Sequence, residues 1–120
     1  MNDCIFCKIL NKEIPSEFVY EDDLVVAFFD IAKLAPVHIL IIPKKHIPSI
    51  NDLPDDESGV NIAGHMIITA KKLAKKYEIA ESGYKLLFRT GKDGGQEVPH
   101  IHLHLIGGAP MEEIIKVKSN

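Results

Sequence analysis

The sequence has few cysteines, no excess of basic charge and no long run of apolar residues. A helix needs about 20 consecutive apolar residues to cross a bilayer, so we expect no membrane-spanning helix and no membrane partner. The 14 Lys and Arg residues are outnumbered by 17 Asp and Glu residues, which gives a net charge of −3. Domains that hold nucleic acids by electrostatic attraction are usually basic, so we expect no nucleic-acid partner either.

The sequence also shows neither the pattern of a secretory signal nor that of a disulfide framework. Residues Met1 to Cys4 lack the basic and apolar regions of a signal peptide, so a cytoplasmic location is expected. A stabilising disulfide between Cys4 and Cys7 is not expected in the reducing cytosol. The 120 residues correspond to one domain, and a hydrophobic content of 46% is enough to build one core.

Hydrophobic periodicity predicts an α+β domain with about five, mostly antiparallel strands, one long helix and one short helix. The short helix is predicted over residues 4–11 and the long helix over residues 55–78. Strands are predicted over residues 18–21, 24–30, 38–43, 84–89 and 100–106. The long helix is expected to bury a stripe that consists of Val60, Ala63, Ile67, Leu73, Ala74 and Tyr77.

Histidine alternates with apolar residues in the last predicted strand, His100-Ile101-His102-Leu103-His104-Leu105. Because side chains alternate between the faces of a strand, we expect the three histidines on one face and the apolar residues on the other. A neutral imidazole is available near pH 7, so this row could hold a nucleophile that attacks phosphorus and forms a covalent intermediate. The alternative is a half-exposed strand whose polar face consists of histidine, although Thr, Lys or Glu would serve such a surface equally well.

Two further motifs carry chemistry. Gly94-Gly95-Gln96 precedes the histidines, and glycines let backbone N–H groups approach an anion closely, with Gln96 as an added donor. Cys4 and Cys7 have the Cys-x-x-Cys spacing of half a tetrahedral zinc site. Two cysteines in the core of a short helix are the alternative, and the spacing does not identify the remaining ligands.

The segment Gly94–Gly108, with its pattern His-apolar-His-apolar-His followed by two apolar residues, resembles the signature of the histidine triad (HIT) family. Further resemblance lies in residues 4–9, 21–23, 27–31, 35–38 and 42–47. The resemblance covers residues 4–109, is greatest to the Hint-like branch of purine nucleoside phosphoramidases, and implies a HIT-like fold. It makes residues 1–120 a single domain, with a core over residues 4–109 and a tail over residues 110–120.

The resemblance implies a catalytic role for each of four histidines. His102 would be the nucleophile that becomes nucleotidylated, and His104 would contact the phosphate. The backbone carbonyl of His100 would hold His102 in its reactive tautomer. His38 would support the other three from a neighbouring strand.

The resemblance also implies a nucleotide site. Asp30 would accept hydrogen bonds from the ribose hydroxyls. The base pocket would be lined by Phe6, Ile9, Phe28, Ile31 and Leu40, for which an ordinary core is the alternative. Nucleotide contacts are further expected from Arg89, Gly95, Gln96, Glu97 and Val98.

Two positions depart from the branch. Hint-like proteins usually carry Asn where this chain has Arg89, and Ser is common where it has Glu97. Arg89 could pair with the phosphate or the leaving group. Glu97 could act as the acid for the leaving group, or it could point into solvent.

The resemblance implies a structural zinc ion and a partner subunit. His46 and His100 would complete the zinc site of Cys4 and Cys7, and the chemistry itself would require no catalytic metal. A two-fold homodimer would be formed through the long helix and the strand over residues 84–89.

The predicted function is the hydrolysis of purine nucleoside 5′-phosphoramidates through a nucleotidyl-His102 intermediate. One alternative is a related activity of the same family, either dinucleoside polyphosphate hydrolysis or nucleotidyl transfer. Two others are a nucleotide-binding adaptor with little catalysis and a zinc-held scaffold that binds no nucleotide.

Overall fold

The arrangement of helices and strands comes from a computed structural model, which describes residues 3–113 and 115–118. Two α-helices are present in the described part, α1 at Ile5–Leu10 and α2 at Glu57–Lys76. The strands are β1 Phe18–Glu21, β2 Val25–Phe29, β3 Val37–Pro43, β4 Tyr84–Leu87 and β5 Leu103–Gly107, with a 3-10 turn at Ile50–Asp52. No helix in the described part is both long enough and apolar enough to cross a membrane.

One five-stranded sheet organises the chain, in the order β1-β2-β3-β5-β4, and every neighbouring pair is antiparallel. The continuous apolar run in β3 explains its central position, because Ile39 to Ile42 are buried on both faces of the sheet. The α+β class, the number of strands and the two helices are therefore confirmed.

The two faces of the sheet bury different groups of residues. Helix α2 packs on one face, where the core includes Val25, Ala27, Ile39, Ile41, Leu103 and Leu105. Helix α1 packs on the other face, where the core includes Phe6, Ile9, Val26, Phe28, Leu40 and Ile42. Strand alternation therefore places His38 of β3 and His104 of β5 on the α1 side, away from the long helix.

Strand β5 begins three residues later than predicted. The backbone N–H of Ile101 donates to the carbonyl of Ile47 at 2.7 Å, so this part of the chain binds a loop rather than β3. Ladder pairing starts where Leu103 faces Ile41. The prediction of a strand over residues 100–106 was wrong for His100 and His102, although Ile101, Leu103 and Leu105 are buried as expected.

The predicted buried stripe of α2 was also partly wrong. Val60 is 70% exposed and Ile67 is 45% exposed, whereas Leu73 and Ala74 are buried as expected. The buried face consists of Gly59, Met66, Thr69, Ala70, Leu73 and Ala74. The first turn of the helix lies directly on Pro54, where a Cβ on Gly59 would meet the Pro54 carbonyl oxygen. An exposed apolar face that includes Val60, Ile67 and Ile68 is left on α2.

A carboxylate joins α2 to the turn between β1 and β2. Asp22 accepts hydrogen bonds from the Tyr20 hydroxyl at 2.7 Å and from the backbone N–H groups of Leu24 and Val25, and His65 Nε2 lies 2.6 Å from its carboxylate. Burial alone would raise the pKa of Asp22, but these hydrogen bonds outweigh it and hold the pKa well below its usual value. His65 therefore belongs to a structural contact and is remote from the histidines of β5.

Candidate active site

The pairing of β3 with β5 brings two histidines into contact. In the sheet register Leu40 faces His104 and His38 faces Ile106, so the two histidines are diagonal neighbours on one face. His38 Nε2 lies 2.9 Å from His104 Nδ1. Both rings are buried, at 1% and 7% exposure.

The partners of these two rings fix where their protons lie. The backbone N–H of Leu34 donates to His38 Nδ1 at 3.1 Å, so the proton of a neutral His38 is on Nε2. That proton is donated to His104 Nδ1, which places the proton of a neutral His104 on its Nε2. The chain of hydrogen bonds therefore turns His104 into a donor at its outer nitrogen.

A second donor lies at the same place. Arg89 Nη1 is 3.4 Å from His104 Nε2, and a guanidinium can only donate. Two N–H donors that converge without an acceptor between them form a site for an anion, since an oxygen of a bound phosphate would satisfy both. The half-buried position of Arg89 suits a contact with phosphate.

His102 is held in a single tautomer. Its Nδ1–H donates to the backbone carbonyl of His100 at 2.8 Å, which leaves the lone pair on Nε2. Every buried side-chain nitrogen and oxygen among the described residues has a hydrogen-bond partner. The Nε2 of His102 has none among these residues, so it is not buried and opens to the cavity that His102 lines. A neutral imidazole with a free lone pair beside an anion site is the arrangement that a nucleophile requires.

Aromatic packing holds the rings in a row. The ring of Phe6, on α1, contacts His102 edge-on at 5.1 Å between centroids and His100 at 5.9 Å. His102 and His104 lie 4.9 Å apart, and His104 and His38 lie 5.2 Å apart. The short helix therefore supports the histidines from below, although two of them lie outside the regular strand.

The histidines open into a cavity of about 390 Å³. It is lined by Asp30, Ala32, Leu34, His38, Arg89, Gly95, Glu97, His102 and His104. Asp30 Oδ1 accepts the backbone N–H of Ala32, and Oδ2 lies 3.5 Å from His38 Nε2. Ala32 and Leu34 were missed because the segment between β2 and β3 was predicted only as a loop.

Burial keeps the histidines neutral. It is the largest cause that lowers the pKa of His104 to about 4 and that of His100 to about 4. Burial also lowers the pKa of His38 and of His102, although the charge of Asp30 acts in the opposite direction on both. All four rings are therefore uncharged at pH 7, which preserves the lone pair of His102.

The loop before the histidines is held by its own polar groups. The Gln96 side chain donates to the carbonyls of Pro48 and Val98 and accepts the backbone N–H of Gly91. Both acceptors of the side-chain amide are thus backbone carbonyls, one in this loop and one at Pro48, which differs from the predicted contact of Gln96 with the phosphate. Val98 packs partly on the α1 core and does not line the histidine cavity.

The two glycines of this loop are required by its backbone conformation. A Cβ on Gly94 would lie within 2.3 Å of the Thr90 carbonyl oxygen, and Gly95 has a φ of +78°. The N–H of Gly95 donates to the Lys92 carbonyl, which closes a turn. Only Gly95 lines the cavity, and its N–H is already in use.

The residues predicted to line a base pocket occupy two different environments, the core and the surface. Phe6, Ile9, Phe28 and Leu40 are buried in the α1 core, which agrees with the alternative interpretation as core residues. Ile31, next to Asp30, is fully exposed. The structure thus places four of the five in the core beside α1 and one on the surface.

A second cluster joins the N-terminus to the end of β3. Cys4, Cys7, His46 and His100 each offer one ligand atom, and these four atoms lie within 4.8 Å of one another. His100 Nδ1 is 3.4 Å from Cys4 Sγ, 3.6 Å from Cys7 Sγ and 3.1 Å from His46 Nδ1. Ligand atoms around a tetrahedral zinc ion lie about 3.3 to 3.8 Å apart, so the donor set fits this metal.

The orientation of His100 supports the same assignment. Its Nε2–H donates to the Pro43 carbonyl at 2.9 Å, which directs the lone pair of Nδ1 toward the two sulfur atoms. Histidines that bind metals commonly donate their other ring nitrogen to a carbonyl in this way. The ring of His100 therefore faces the cluster while its carbonyl holds His102.

Comparisons with known proteins agree with this geometry. A family model described as HIT domain matches residues 11–111. The purine nucleoside phosphoramidase of Escherichia coli (strain K12) is 50% identical over 114 residues, which cover 95% of this chain and 94% of that protein. The crystal structure of a HIT family hydrolase from Legionella pneumophila Philadelphia 1 has 52% identity and a TM-score of 0.86, and it covers 92% of this chain and 96% of its own.

A second solved structure extends the match. A histidine triad protein from Clostridium difficile has 44% identity and a TM-score of 0.89, with coverage of 96% of this chain and 98% of its own. The histidine row, the sheet that carries it and these matches over nearly the whole length together show that the chain belongs to the HIT family.

Proposed function

We propose that this protein hydrolyses purine nucleoside 5′-phosphoramidates through a nucleotidyl-His102 intermediate. The single observation that carries the proposal is the hydrogen bond from His102 Nδ1 to the His100 carbonyl, which leaves Nε2 as a nucleophile facing the cavity. The name of the Escherichia coli relative, purine nucleoside phosphoramidase, supports the substrate class.

The reaction follows from the positions of three side chains. His102 Nε2 attacks the α-phosphorus, the bond between phosphorus and the amine breaks, and the amine leaves with a proton taken from water. Arg89 and the Nε2–H of His104 stabilise the negative charge on the phosphate oxygens. Water then attacks the nucleotidyl-His102, which releases the nucleoside monophosphate and restores the neutral imidazole.

Three assignments complete the nucleotide site in this proposal. Asp30 binds the ribose hydroxyls, since its half-exposed carboxylate lines the same cavity as His102. Ile31 offers an exposed apolar surface next to Asp30 on which a purine can lie. Phe6 and Phe28 support that side of the site from the α1 core.

We further propose that Cys4, Cys7, His46 and His100 hold a structural zinc ion. The spacing of their ligand atoms and the hydrogen bond from His100 to Pro43 support this assignment. The ion would close four ligands around itself and would attach α1 to the end of β3. The catalytic steps above use imidazole, guanidinium and water, so they require no second metal.

Steady-state kinetics on several substrates test the function. We expect kcat/KM for adenosine 5′-phosphoramidate to exceed that for diadenosine polyphosphates by at least about tenfold, since an amine leaving group fits a small open cavity. The same panel includes a nucleoside diphosphate sugar as a donor for nucleotidyl transfer. Faster cleavage of the dinucleotide would favour the related HIT activity, and tight nucleotide binding without turnover would favour an adaptor.

A homodimer is the second part of the proposal. Strand β4 is at the edge of the sheet, and α2 exposes an apolar face that includes Val60, Ile67 and Ile68. An edge strand with an open side and an exposed apolar helix face are each typical of an interface between subunits. A second copy of this chain would cover both.

The mass in solution tests the dimer. We expect the unchanged protein to sediment as a dimer and Ile67→Glu to shift it toward the monomer, because the new charge would be buried in the interface. The control is Ala80→Glu, which adds the same charge at an exposed position after α2. A monomeric mass for the unchanged protein at micromolar concentration would contradict the proposal.

The cytoplasmic location and the single domain over residues 1–120 stay predictions of the sequence.

A further inference from the structure

We propose that Glu97 and the cavity beside it bind the leaving amine, and that they favour amines whose short aliphatic arm ends in a positive charge. This inference rests on the proposed function, because it concerns the amine that His102 displaces. It names a substrate class that the phosphoramidase chemistry alone leaves open.

A separate cavity of about 450 Å³ lies next to the histidine cavity. It is lined by Asp3, Cys4, Ile5, His46, Pro48, Glu97, Val98 and Pro99. Glu97 is the residue that lines both cavities. An amine attached to phosphorus at His102 therefore has Glu97 beside it, and an arm on that amine can extend past Glu97 into the second cavity.

The two cavities differ in their charged groups: the histidine cavity carries a guanidinium beside the carboxylates of Asp30 and Glu97, whereas the second cavity carries carboxylates alone. The guanidinium of Arg89 lies at the histidine cavity, next to His104, where we place the phosphate. The second cavity carries the carboxylates of Asp3 and Glu97, and its lining includes neither Lys nor Arg. Glu97 is exposed, so its carboxylate is accessible to a ligand. A cation on the leaving group would meet opposite charge here, whereas a carboxylate would be repelled.

The remaining walls suit an aliphatic stem. The cavity that carries the two carboxylates is also lined by apolar surface, from Ile5, Pro48, Val98 and Pro99. Methylene groups of a lysine-like arm pack on such surface while the charged end stays near water. His46 and Cys4 also belong to the proposed zinc site, and a zinc ion bound by two thiolates and two neutral imidazoles is uncharged overall. The acidic character of the cavity is therefore the same with the metal in place.

Two substrates of equal length isolate the effect of charge. They are the adenosine 5′-phosphoramidates of 1,4-diaminobutane and of n-pentylamine, which differ in a terminal ammonium or methyl group. The measured quantity is the ratio of their kcat/KM values, because a general change in catalysis or stability cancels in it. Exposed ion pairs change free energies by up to about 1 kcal/mol, so we expect Glu97→Gln to lower the ratio about three- to fivefold.

Further variants and conditions sharpen the test. Asp3→Asn should lower the ratio by a smaller factor, and the control Glu81→Gln, at an exposed position, should leave it unchanged. The preference for the diamine should weaken from 20 to 200 mM salt, because exposed charges are screened over about 10 Å at 0.1 M. The phosphoramidate of 5-aminopentanoate should be the slowest substrate of the unchanged protein.

Three results would overturn the inference. An equal ratio in the unchanged protein and in Glu97→Gln would show that the carboxylate does not select the amine. A preference for the carboxylate arm would assign the opposite charge to the subsite. If the unchanged protein turns over neither adenosine 5′-phosphoramidate nor the phosphoramidates of 1,4-diaminobutane and n-pentylamine, the proposed function is overturned, and the subsite with it.

Discussion

Replacing His102 by alanine is expected to abolish phosphoramidate turnover while nucleotide binding stays within a few-fold of the unchanged protein. The imidazole supplies the bond to phosphorus in the proposed first step, and no neighbouring ring can replace it. The outer nitrogen of His104 carries a proton, and the lone pair of His100 Nδ1 faces the cysteines. Loss of an enzyme nucleophile costs about 10⁴- to 10⁶-fold in kcat.

Binding should persist because other residues hold the nucleotide. Arg89 and His104 form the anion site, and Asp30 lines the same cavity. None of these contacts depends on the ring of His102. Equilibrium binding of AMP, measured by calorimetry on the same preparation, therefore separates a lost nucleophile from a collapsed site.

Two further variants control this experiment. His65→Ala removes a histidine of α2 that contacts Asp22 in the turn between β1 and β2, so it should reduce stability slightly and leave kcat unchanged. His102→Gly leaves space for free imidazole, and added imidazole should restore part of the turnover. Mass spectrometry should detect the nucleotidyl adduct on residue 102 in the unchanged protein alone. Normal turnover by His102→Ala would refute the nucleophile assignment.

The sequence predicted the histidine row because its signal is local. Alternation along an extended chain sets which face a side chain takes, and His104 lies on the face opposite to Leu103 and Leu105 as expected. The start of β5 could not be predicted in the same way. It depends on the hydrogen bond between Ile101 and Ile47, which joins positions 54 residues apart.

The contacts that tune the site were also beyond the sequence pattern. Leu34 sets the tautomer of His38 through a backbone N–H, which any residue type except proline could supply. Gln96 looked like a phosphate donor, yet three backbone groups of its own loop and of Pro48 occupy its amide. Such roles follow from how distant segments meet, and residue identity alone does not encode them.

Apolar residues were the least predictable. The helical period of α2 is clear, but the predicted phase was wrong for Val60 and Ile67, which are exposed, whereas Gly59 lies against Pro54. Phe6 and Phe28 could have lined a pocket or filled a core, and both uses need the same hydrophobic side chains. A hydrophobic side chain predicts burial but does not identify the residues that it packs against.

Removal of the proposed zinc ion is expected to lower both stability and activity, because one residue belongs to both sites. The ring of His100 faces Cys4 and Cys7, and its carbonyl accepts the Nδ1–H of His102. Without the metal, α1 would be held against His100 by the edge-on contact of Phe6 and by thiol and imidazole contacts, which are weaker than bonds to a metal. A ligand present at 100 to 1,000 times its Kd stabilises a protein by about 3 to 4 kcal/mol, and we expect a loss of this size.

The activity should fall by a separate route. When His100 moves, the acceptor that fixes the tautomer of His102 moves with it, and part of the population then presents the protonated nitrogen to phosphorus. Changes to groups that orient a catalytic centre typically cost about 10- to 100-fold in activity. Treatment with a chelator under reducing conditions should therefore release one zinc per chain, lower the melting temperature and reduce kcat, and added zinc should restore all three.

A matched pair of histidine variants shows whether the metal site is responsible. Both variants replace a histidine outside the histidine row. His46 contacts the thiol of Cys7, and His65 contacts the carboxylate of Asp22. His46→Gln should lower zinc content and kcat together, because it removes one of the four ligands. His65→Gln should retain full zinc and full kcat. Two results would contradict this prediction: no metal in protein that is expressed in cells supplied with zinc, or a His46→Gln variant with full metal content and the melting temperature of the unchanged protein. In either case the four residues would form a packed cluster, and the metal would not position the nucleophile.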